Sequence, residues 1–334
     1  MAKKAPKESR SEHVLRSFRH FTGVELEGRS AALPDSEFLR RRIFLSVLEE
    51  TKHLAGVAAK RSATVFPDDV FIVSYPKSGS TWIRFLVGNV ISEEAVTFAN
   101  LEQVVPEIYH HSDKRLKQFP RPRVIKSHEY FHPAYPRVVY VVRDPRDLAV
   151  SALHHHIKRG RLEPGFPLED FIPPFMRGEF DHAHSWADNV ISWLATRLGT
   201  DTFLLVRYED LLADTPGELA RVVAFMGIET TRERLMRAVE LSSADRMRKL
   251  EQQEPAWDTL KGSRLNMPFV RKAAAGGWRT SLPEDSLRQL ESAWGRAMRI
   301  LGYEPVTPEG GAAAKASSFE ALLAEPFTGA TRGH

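Results

Sequence analysis

The chain has 334 residues, of which 42% are hydrophobic and 27% charged, a composition that excludes a mainly disordered or fibrous protein. Its net charge of +4 permits a basic patch for an anionic ligand but is too small to indicate nucleic acid. Because there is no cysteine and no long apolar run, disulfides are excluded, and neither a secretory signal nor membrane insertion is expected. We expect a cytoplasmic location and no nucleic-acid partner.

Three segments are expected along the chain. Residues 1–35 are mostly polar and predict a flexible N-terminal extension, whereas residues 306–334 are rich in Gly, Ala and Ser and predict a flexible C-terminal tail. Residues 36–305 form the expected domain. At its beginning, Phe38 to Ala59 has helical apolar spacing and predicts one or two surface helices.

Strand and helix patterns then alternate. The run Asp69–Tyr75 is rich in β-branched and aromatic residues and predicts a buried strand, followed by a helix from about Ser80 to Ile91. Further strand patterns occur at 124–125, 138–142 and 202–206, and amphipathic helix patterns at 216–226 and 283–301. Buried strands that alternate with helices predict an α/β fold, with a parallel sheet flanked by helices on both faces.

The loop between the first strand and the first helix reads YPKSGSTW from Tyr75 to Trp82. Gly79 would let the backbone approach an anion, and Lys77 would add a positive charge at the helix N-terminus. From the spacing alone, a tight turn with a solvated lysine is as good an interpretation as an anion-binding loop. The ATPase pattern G-x-x-x-x-G-K-[ST] is absent because Lys77 precedes Gly79, which disfavours an ordinary nucleoside-triphosphate loop.

This loop resembles that of the soluble sulfotransferases, which reads YPKSGTTW and differs here only at Ser80. The family's second signature, R-x-x-x-D-x-A-V-S, is matched from Arg143 to Ser151. Arg143 can pair bidentately with a phosphate while Ser151 donates a hydroxyl, although alone this pattern also suits a charged helix N-terminus. The resemblance implies a P-loop-type sheet and a donor site that includes Lys77, Ser78, Gly79, Ser80, Thr81, Trp82, Arg143 and Ser151.

Two further motifs follow strand patterns. Ile125–His128 resembles the family's K-[TS]-H, which implies that Lys126 and His128 are catalytic. Their spacing of two residues puts both side chains on one side of an extended strand. Histidines near strand ends are usually structural, but beside the other motifs we expect His128 to be the general base. The run after Arg207 resembles the family's Y-E-D-L, which implies Tyr208 near the adenine; support of the sheet is the alternative.

The last signature, R-K-G-x-x-G-D-W, is only partly matched by residues 271–278. The resemblance implies Arg271 and Lys272 as ligands of a 3′-phosphate, with Ala273 where the family has glycine. Gly277 replaces an aspartate, and Ala244 replaces a phenylalanine that commonly stacks on adenine, so Trp82 is expected to carry more of the stacking. The resemblance runs from about residue 69 to residue 303.

The family implies transfer of a sulfuryl group from 3′-phosphoadenosine 5′-phosphosulfate (PAPS) to a hydroxyl of a small-molecule, lipid or sugar acceptor by in-line displacement. It implies that Lys77 stabilises the leaving oxygens and Lys126 the sulfuryl oxygens, with no metal required. A P-loop-type nucleotide kinase and a non-catalytic nucleotide-fold binding protein are the alternatives. The sequence leaves the acceptor and the oligomeric state open.

Other clusters carry weaker expectations. His154, His155 and His156 cannot all face one point on a helix, so no metal site is expected there. The basic stretch from Lys114 to Arg123 is typical of a solvated face, or of one that attracts an acidic acceptor. Phe166–Phe180, with three prolines, predicts a loop over the acceptor pocket, with packing on the core as the alternative.

Overall fold

A computed structural model of the chain describes residues 63–180, 183–254, 264, 266–271 and 273–308. The predicted extension 1–35, the surface helices within 38–59 and the tail beyond residue 308 lie outside these residues. All described residues belong to one compact unit. Its sheet has four strands: β1 (Val70–Ser74), β2 (Val124–Ser127), β3 (Arg137–Val142) and β4 (Phe203–Arg207). They are all parallel, in the order β2–β1–β3–β4, which confirms the predicted parallel sheet.

Helices connect the strands and cover the sheet. Within the described ranges they are α1 (Ser80–Ile91), α2 (Leu101–Val104), α3 (Asp113–Leu116), α4 (Pro145–Lys158), α5 (Leu168–Met176), α6 (Trp186–Arg197), α7 (Tyr208–Ala213), α8 (Thr215–Met226), α9 (Arg232–Leu241), α10 (Ala244–Gln253), α11 (Trp278–Ser281) and α12 (Glu284–Ile300). The helix predicted from about Ser80 to Ile91 has the bounds of α1, and the amphipathic patterns at 216–226 and 283–301 correspond to α8 and α12. Among these described helices, none has the length and apolar character needed to cross a membrane.

The sheet is buried on both faces. Phe71 and Tyr140 point to one face, where they pack in a cluster with Trp193 of α6. Ile72 and Val139, one residue out of phase, point to the other face and pack with residues of α1, α8 and α9. Because both faces of the two central strands are buried, β1 and β3 are nearly continuous apolar runs rather than alternating ones, as their strand patterns predicted.

The segment from Phe166 to Phe180 differs from the predicted loop. Its centre is helix α5, which contains Pro173 and Pro174 and buries Phe171 and Phe175 in the core cluster. The loop expectation is therefore wrong, and the alternative of core packing is confirmed. Burial of two aromatic rings one helical turn apart outweighs the helix-breaking tendency of the prolines.

Candidate active site

The site lies at the carboxyl edge of the sheet. Since all four strands are parallel, the residues that follow them meet at one edge, where open α/β sheets bind ligands. The β1–α1 loop, His128, Arg143 and Tyr208 each directly follow a strand and come together there. The structure thus groups residues that are separated by up to 133 positions in the sequence, from Tyr75 to Tyr208.

The β1–α1 loop has an unusual backbone. Lys77 has φ 72° and Gly79 has φ 102°, both in the left-handed region, and Ser80 begins α1 directly afterwards. A Cβ on Gly79 would lie 2.6 Å from Cδ2 of Tyr208, so only glycine fits under that ring. Ser78 is fully buried, and its Oγ has no hydrogen-bond partner among the described residues. A buried hydroxyl in this state is suited to a ligand in the loop.

Arg143 brings a buried guanidinium to the same place. It lies over the Tyr208 ring, 4.4 Å from Cζ to the ring centroid, and donates to the carbonyls of Lys77 (3.4 Å) and Ala274 (3.1 Å). In the described part of the chain its buried Nε has no partner. Asp144 caps α4 by accepting from the Arg146 amide, so the charged helix N-terminus that this sequence pattern also suits is present here.

The segment after residue 270 brings a second guanidinium. Burial and the nearby charge of Arg143 both lower the pKa of Arg271, so two like charges share one partly buried region. Such an arrangement is typical of a site for an anion. Ala273 has φ 49°, a strained value for a residue with a Cβ. Lys272, the other expected 3′-phosphate ligand, lies outside the described residues.

Asp147 holds this segment in place. Its carboxylate, in the first turn of α4, accepts from the amides of Gly276 (2.5 Å) and Trp278 (2.9 Å). Arg248 of α10 donates to the carbonyl of Arg271 at 3.0 Å. The sequence pattern contained Asp147 as a motif residue, but it gave no role to that side chain.

The other residues that are expected to bind the donor lie around the β1–α1 loop and Arg143. The Trp82 indole donates to the Ser242 carbonyl at 3.0 Å, and its ring meets that of Tyr208 edge-on with centroids 5.7 Å apart. Ala244, where a stacking phenylalanine is common in the resembling family, opens helix α10. Three other expected residues, Ser80, Thr81 and Ser151, lie on helices α1 and α4.

His128 is oriented by the end of β1. Its Nδ1 lies 2.6 Å from the carbonyl oxygen of Ser74, and because a carbonyl only accepts, Nδ1 carries the proton. The neutral ring therefore has its lone pair on Nε2, the form required of a base. Asn189 of α6 and the Tyr109 hydroxyl bond to the carbonyl and the amide of His128, at 3.3 and 3.0 Å.

Lys126 points to the face of β2 opposite Ser127, whose hydroxyl bonds to Tyr135 in the cluster that contains Trp193. Its ammonium is buried and lies 2.5 Å from a carboxylate oxygen of Glu107. Burial lowers the pKa of Lys126, and Glu107 opposes that effect. Glu107 had no signal in the sequence, because its position beside β2 arises from tertiary structure.

Three possible metal ligands lie near this pair. Among the described residues, ligand atoms of Glu102, Glu107 and His110 lie within 4.8 Å of one another. However, Arg84 lies 2.5 Å from Glu102, and Lys126 lies 2.5 Å from Glu107. These cations already neutralise both carboxylates, so the group is an ion-pair network rather than a metal site.

Comparison with known proteins decides the family. Residues 67–302 match the family model described as sulfotransferase domain. The chain belongs to the sulfotransferase family. Human sulfotransferase 2B1 is 28% identical over 273 residues, which cover 72% of this chain and 69% of the relative. Cytosolic sulfotransferase 12 of Arabidopsis thaliana is 27% identical over 247 residues, 67% of this chain and 75% of the relative.

Solved structures show the same fold. A retinol dehydratase in complex with retinol and PAP superposes with a TM-score of 0.62 at 24% identity, covering 77% of this chain and 87% of that one. A mouse sulfotransferase in complex with PAP gives 0.59 at 23% identity, covering 78% and 93%. The sulfotransferase family comprises enzymes that transfer sulfuryl groups, so the kinase alternative is not favoured.

Proposed function

We propose that this sulfotransferase uses PAPS as donor and that the edge around Gly79 holds it. The observation that supports this most is a pair of buried polar atoms without partners in the described residues: Ser78 Oγ, in the loop before a left-handed glycine at a helix N-terminus, and Arg143 Nε, directly after β3. A donor with a 5′-phosphosulfate and a 3′-phosphate would offer an oxygen to each of these atoms, and its 3′-phosphate would offset the repulsion between Arg143 and Arg271.

In this proposal the two ends of the donor are held separately. The 5′-phosphosulfate would lie on the β1–α1 loop, against Lys77, Ser78, Gly79, Ser80 and Thr81. The 3′-phosphate would lie against Arg143, Ser151, Arg271, Lys272 and Ala273, and the adenine against Trp82 and Tyr208. The donor supplies an activated sulfuryl group, and these residues bind and orient it.

The proton path rests on His128. Nε2 would take the acceptor hydroxyl proton as that oxygen attacks sulfur; the new S–O bond forms while the bond from sulfur to the 5′-phosphate oxygen breaks. The product PAP (3′,5′-bisphosphoadenosine) leaves with the electron pair of that bond. Lys77 would neutralise charge on the bridging oxygen and Lys126 charge on the sulfuryl oxygens, with no metal required.

The acceptor is proposed as a hydroxylated small molecule, lipid or sugar. Retinol and androsterone, both apolar alcohols, occupy solved structures of retinol dehydratase and serve as first probes, with 2-naphthol as a phenolic one. We also propose a domain at residues 36–305 and a cytoplasmic location; the similar Arabidopsis protein is a cytosolic sulfotransferase, which supports the location. Neither a nucleic-acid partner nor membrane insertion is part of the proposal.

Calorimetric titration with PAP tests the donor site first, with ADP and with ATP plus magnesium as controls. Selective, tight binding of the bisphosphate is expected, because only that ligand engages both the loop and the pair Arg143 and Arg271. A preference for ATP, or no binding of PAP, would overturn the proposed donor.

Substitution of the base tests the chemistry separately. His128→Ala should lower kcat by about 10²- to 10⁴-fold, the usual contribution of a general base, while PAP binding persists. His132→Ala is the matched control, because that ring stacks on Tyr135 and does not follow a strand into the site. Turnover of His128→Ala near that of the unmodified protein would refute the assignment.

A further inference from the structure

The segment Pro106–Tyr109 runs beside β2, on the side away from β1. The Lys126 amide donates to the Pro106 carbonyl at 2.8 Å, and the Ile108 amide donates to the Lys126 carbonyl at 3.0 Å. Glu107 forms a parallel bridge opposite Lys126. The backbone thus fixes Glu107 against the strand residue whose ammonium it contacts.

The two side chains form an almost dry ion pair. Their exposed fractions are 4% for Lys126 and 14% for Glu107, and the N–O distance is 2.5 Å. A buried ammonium that loses its partner pays a large desolvation penalty or loses its proton. Glu107 is therefore the group that keeps Lys126 charged at this depth.

Other charged groups around Lys126 have opposite effects on its ammonium. Arg84 of α1 disfavours the ammonium, and Glu102 of α2 favours it. The His110 imidazole is also near enough for its charge to interact with Lys126, and the Tyr109 ring centroid lies 5.9 Å from the ammonium. Only Glu107 hydrogen-bonds to the ammonium among the described residues.

The segment Pro106–Tyr109 also contacts His128, the proposed general base. The Tyr109 hydroxyl, two residues after Glu107, accepts from the His128 amide at 3.0 Å. Burial would raise the pKa of Glu107, but the charge of Lys126, those of His128 and His110 when protonated, and that of Arg84 lower it to about 2. Glu107 thus remains ionised, and its charge interacts with both expected catalytic side chains.

We propose that Glu107 is a positioning residue for sulfuryl transfer. Through the ion pair between Glu107 and Lys126, it holds the Lys126 ammonium beside His128. This inference rests on the proposed function, in which Lys126 meets the sulfuryl oxygens. Without Glu107, the lysine would be neutral or displaced, and its contribution to neutralising those oxygens would be lost.

The primary test is Glu107→Gln, which keeps the shape and removes the charge. With PAPS and 2-naphthol or androsterone, kcat should fall about 10- to 100-fold, the usual effect of losing a preorganised charged group, while PAP binding by calorimetry persists. The alkaline limb of the kcat profile should move to lower pH. Burial already lowers the pKa of Lys126, and the charge that opposes this effect is gone.

Glu102→Gln is the matched control. It removes one charge from the same network but hydrogen-bonds to Arg84, the Glu107 amide and His111 rather than to Lys126. Its alkaline limb should move less than that of Glu107→Gln. Equal shifts in the two variants, or a Glu107→Gln profile that superimposes on that of the unmodified protein, would overturn the proposal.

A double substitution keeps the test valid if Glu107→Gln does not fold. Lys126→Met and the double variant Lys126→Met with Glu107→Gln leave no unpaired ammonium. If Glu107 acts through Lys126, the two have the same kcat; a further large loss in the double variant, or unchanged kcat in Lys126→Met, overturns the proposal. Failure of the unmodified protein to bind PAP would instead count against the proposed function itself.

Discussion

The two ends of the proposed donor site are built in different ways. The β1–α1 loop, from Tyr75 to Ser80, follows one strand directly and enters one helix, so neighbouring residues determine most of its conformation. The segment 271–278 has no strand before it, and side chains from elsewhere in the chain hold it: Asp147 on α4 and Arg248 on α10. One end is specified locally and the other by tertiary contacts.

This difference explains why the two motifs match the family unequally. The loop has little freedom to change, because Gly79 has φ 102° and lies under the Tyr208 ring. The C-terminal segment tolerates Ala273 and Gly277 because Asp147 bonds to backbone amides, which every residue other than proline provides. Anchoring through the backbone therefore leaves the sequence of the anchored segment less constrained.

The largest effect is expected at the locally specified end. Gly79→Ala should abolish measurable PAP binding and lower the free energy of unfolding by about 3 kcal/mol or more. Backbone strain and a 2.6 Å approach to Tyr208 add together in this variant. Titration calorimetry and urea denaturation measure the two effects.

Gly199→Ala separates strain from the clash. Gly199 has φ 82°, and a Cβ there meets nothing within 4 Å, so this variant carries backbone strain alone. It should lose less stability and retain PAP binding. If Gly79→Ala behaves like Gly199→Ala, contact with Tyr208 does not constrain the loop, and the local end is less rigid than we infer.

The distinction between local and tertiary specification also determines which features the sequence could predict. The strands and helix α1 follow from residues adjacent in the chain, and their predicted boundaries agree with the structure to within two residues. Helix α5 was predicted as a loop, because Pro173 and Pro174 dominate the local pattern while burial of Phe171 is a tertiary effect. Glu107 gave no signal for the same reason.

An intermediate effect is expected at Asp147. Asp147→Asn keeps the size of the side chain but removes the charge and one of two acceptor oxygens, so either the Gly276 or the Trp278 amide loses its partner. The dissociation constant for PAP should rise about 10-fold, which corresponds to about 1.4 kcal/mol. Calorimetry measures the change, with the exposed Asp285→Asn as control.

Unchanged affinity in Asp147→Asn would mean that Arg248 alone suffices to place the segment. Loss of PAP binding as complete as in Gly79→Ala would also contradict the proposed difference between the two ends of the site. It would show that the C-terminal segment is as tightly specified as the loop, despite its departures from the family pattern.

The smallest effect is expected at Ala273, where the chain departs from the family glycine. Ala273→Gly relieves a left-handed conformation at φ 49°, worth about 1–2 kcal/mol, but it raises the conformational entropy of the unfolded chain, which costs about 0.4–1 kcal/mol. The net gain in the free energy of unfolding should therefore be about 1 kcal/mol or less. Urea denaturation measures this change.

Ala274→Gly is the control for that measurement. Ala274 is not among the positive-φ residues of the described chain, so its replacement carries the entropy cost without relief of strain and should destabilise the protein. If both variants lose stability equally, the Ala273 side chain makes contacts that compensate for its conformation. The departure from glycine would then be an adapted feature of this segment, and a segment held by tertiary contacts would be more constrained in sequence than its backbone anchoring implies.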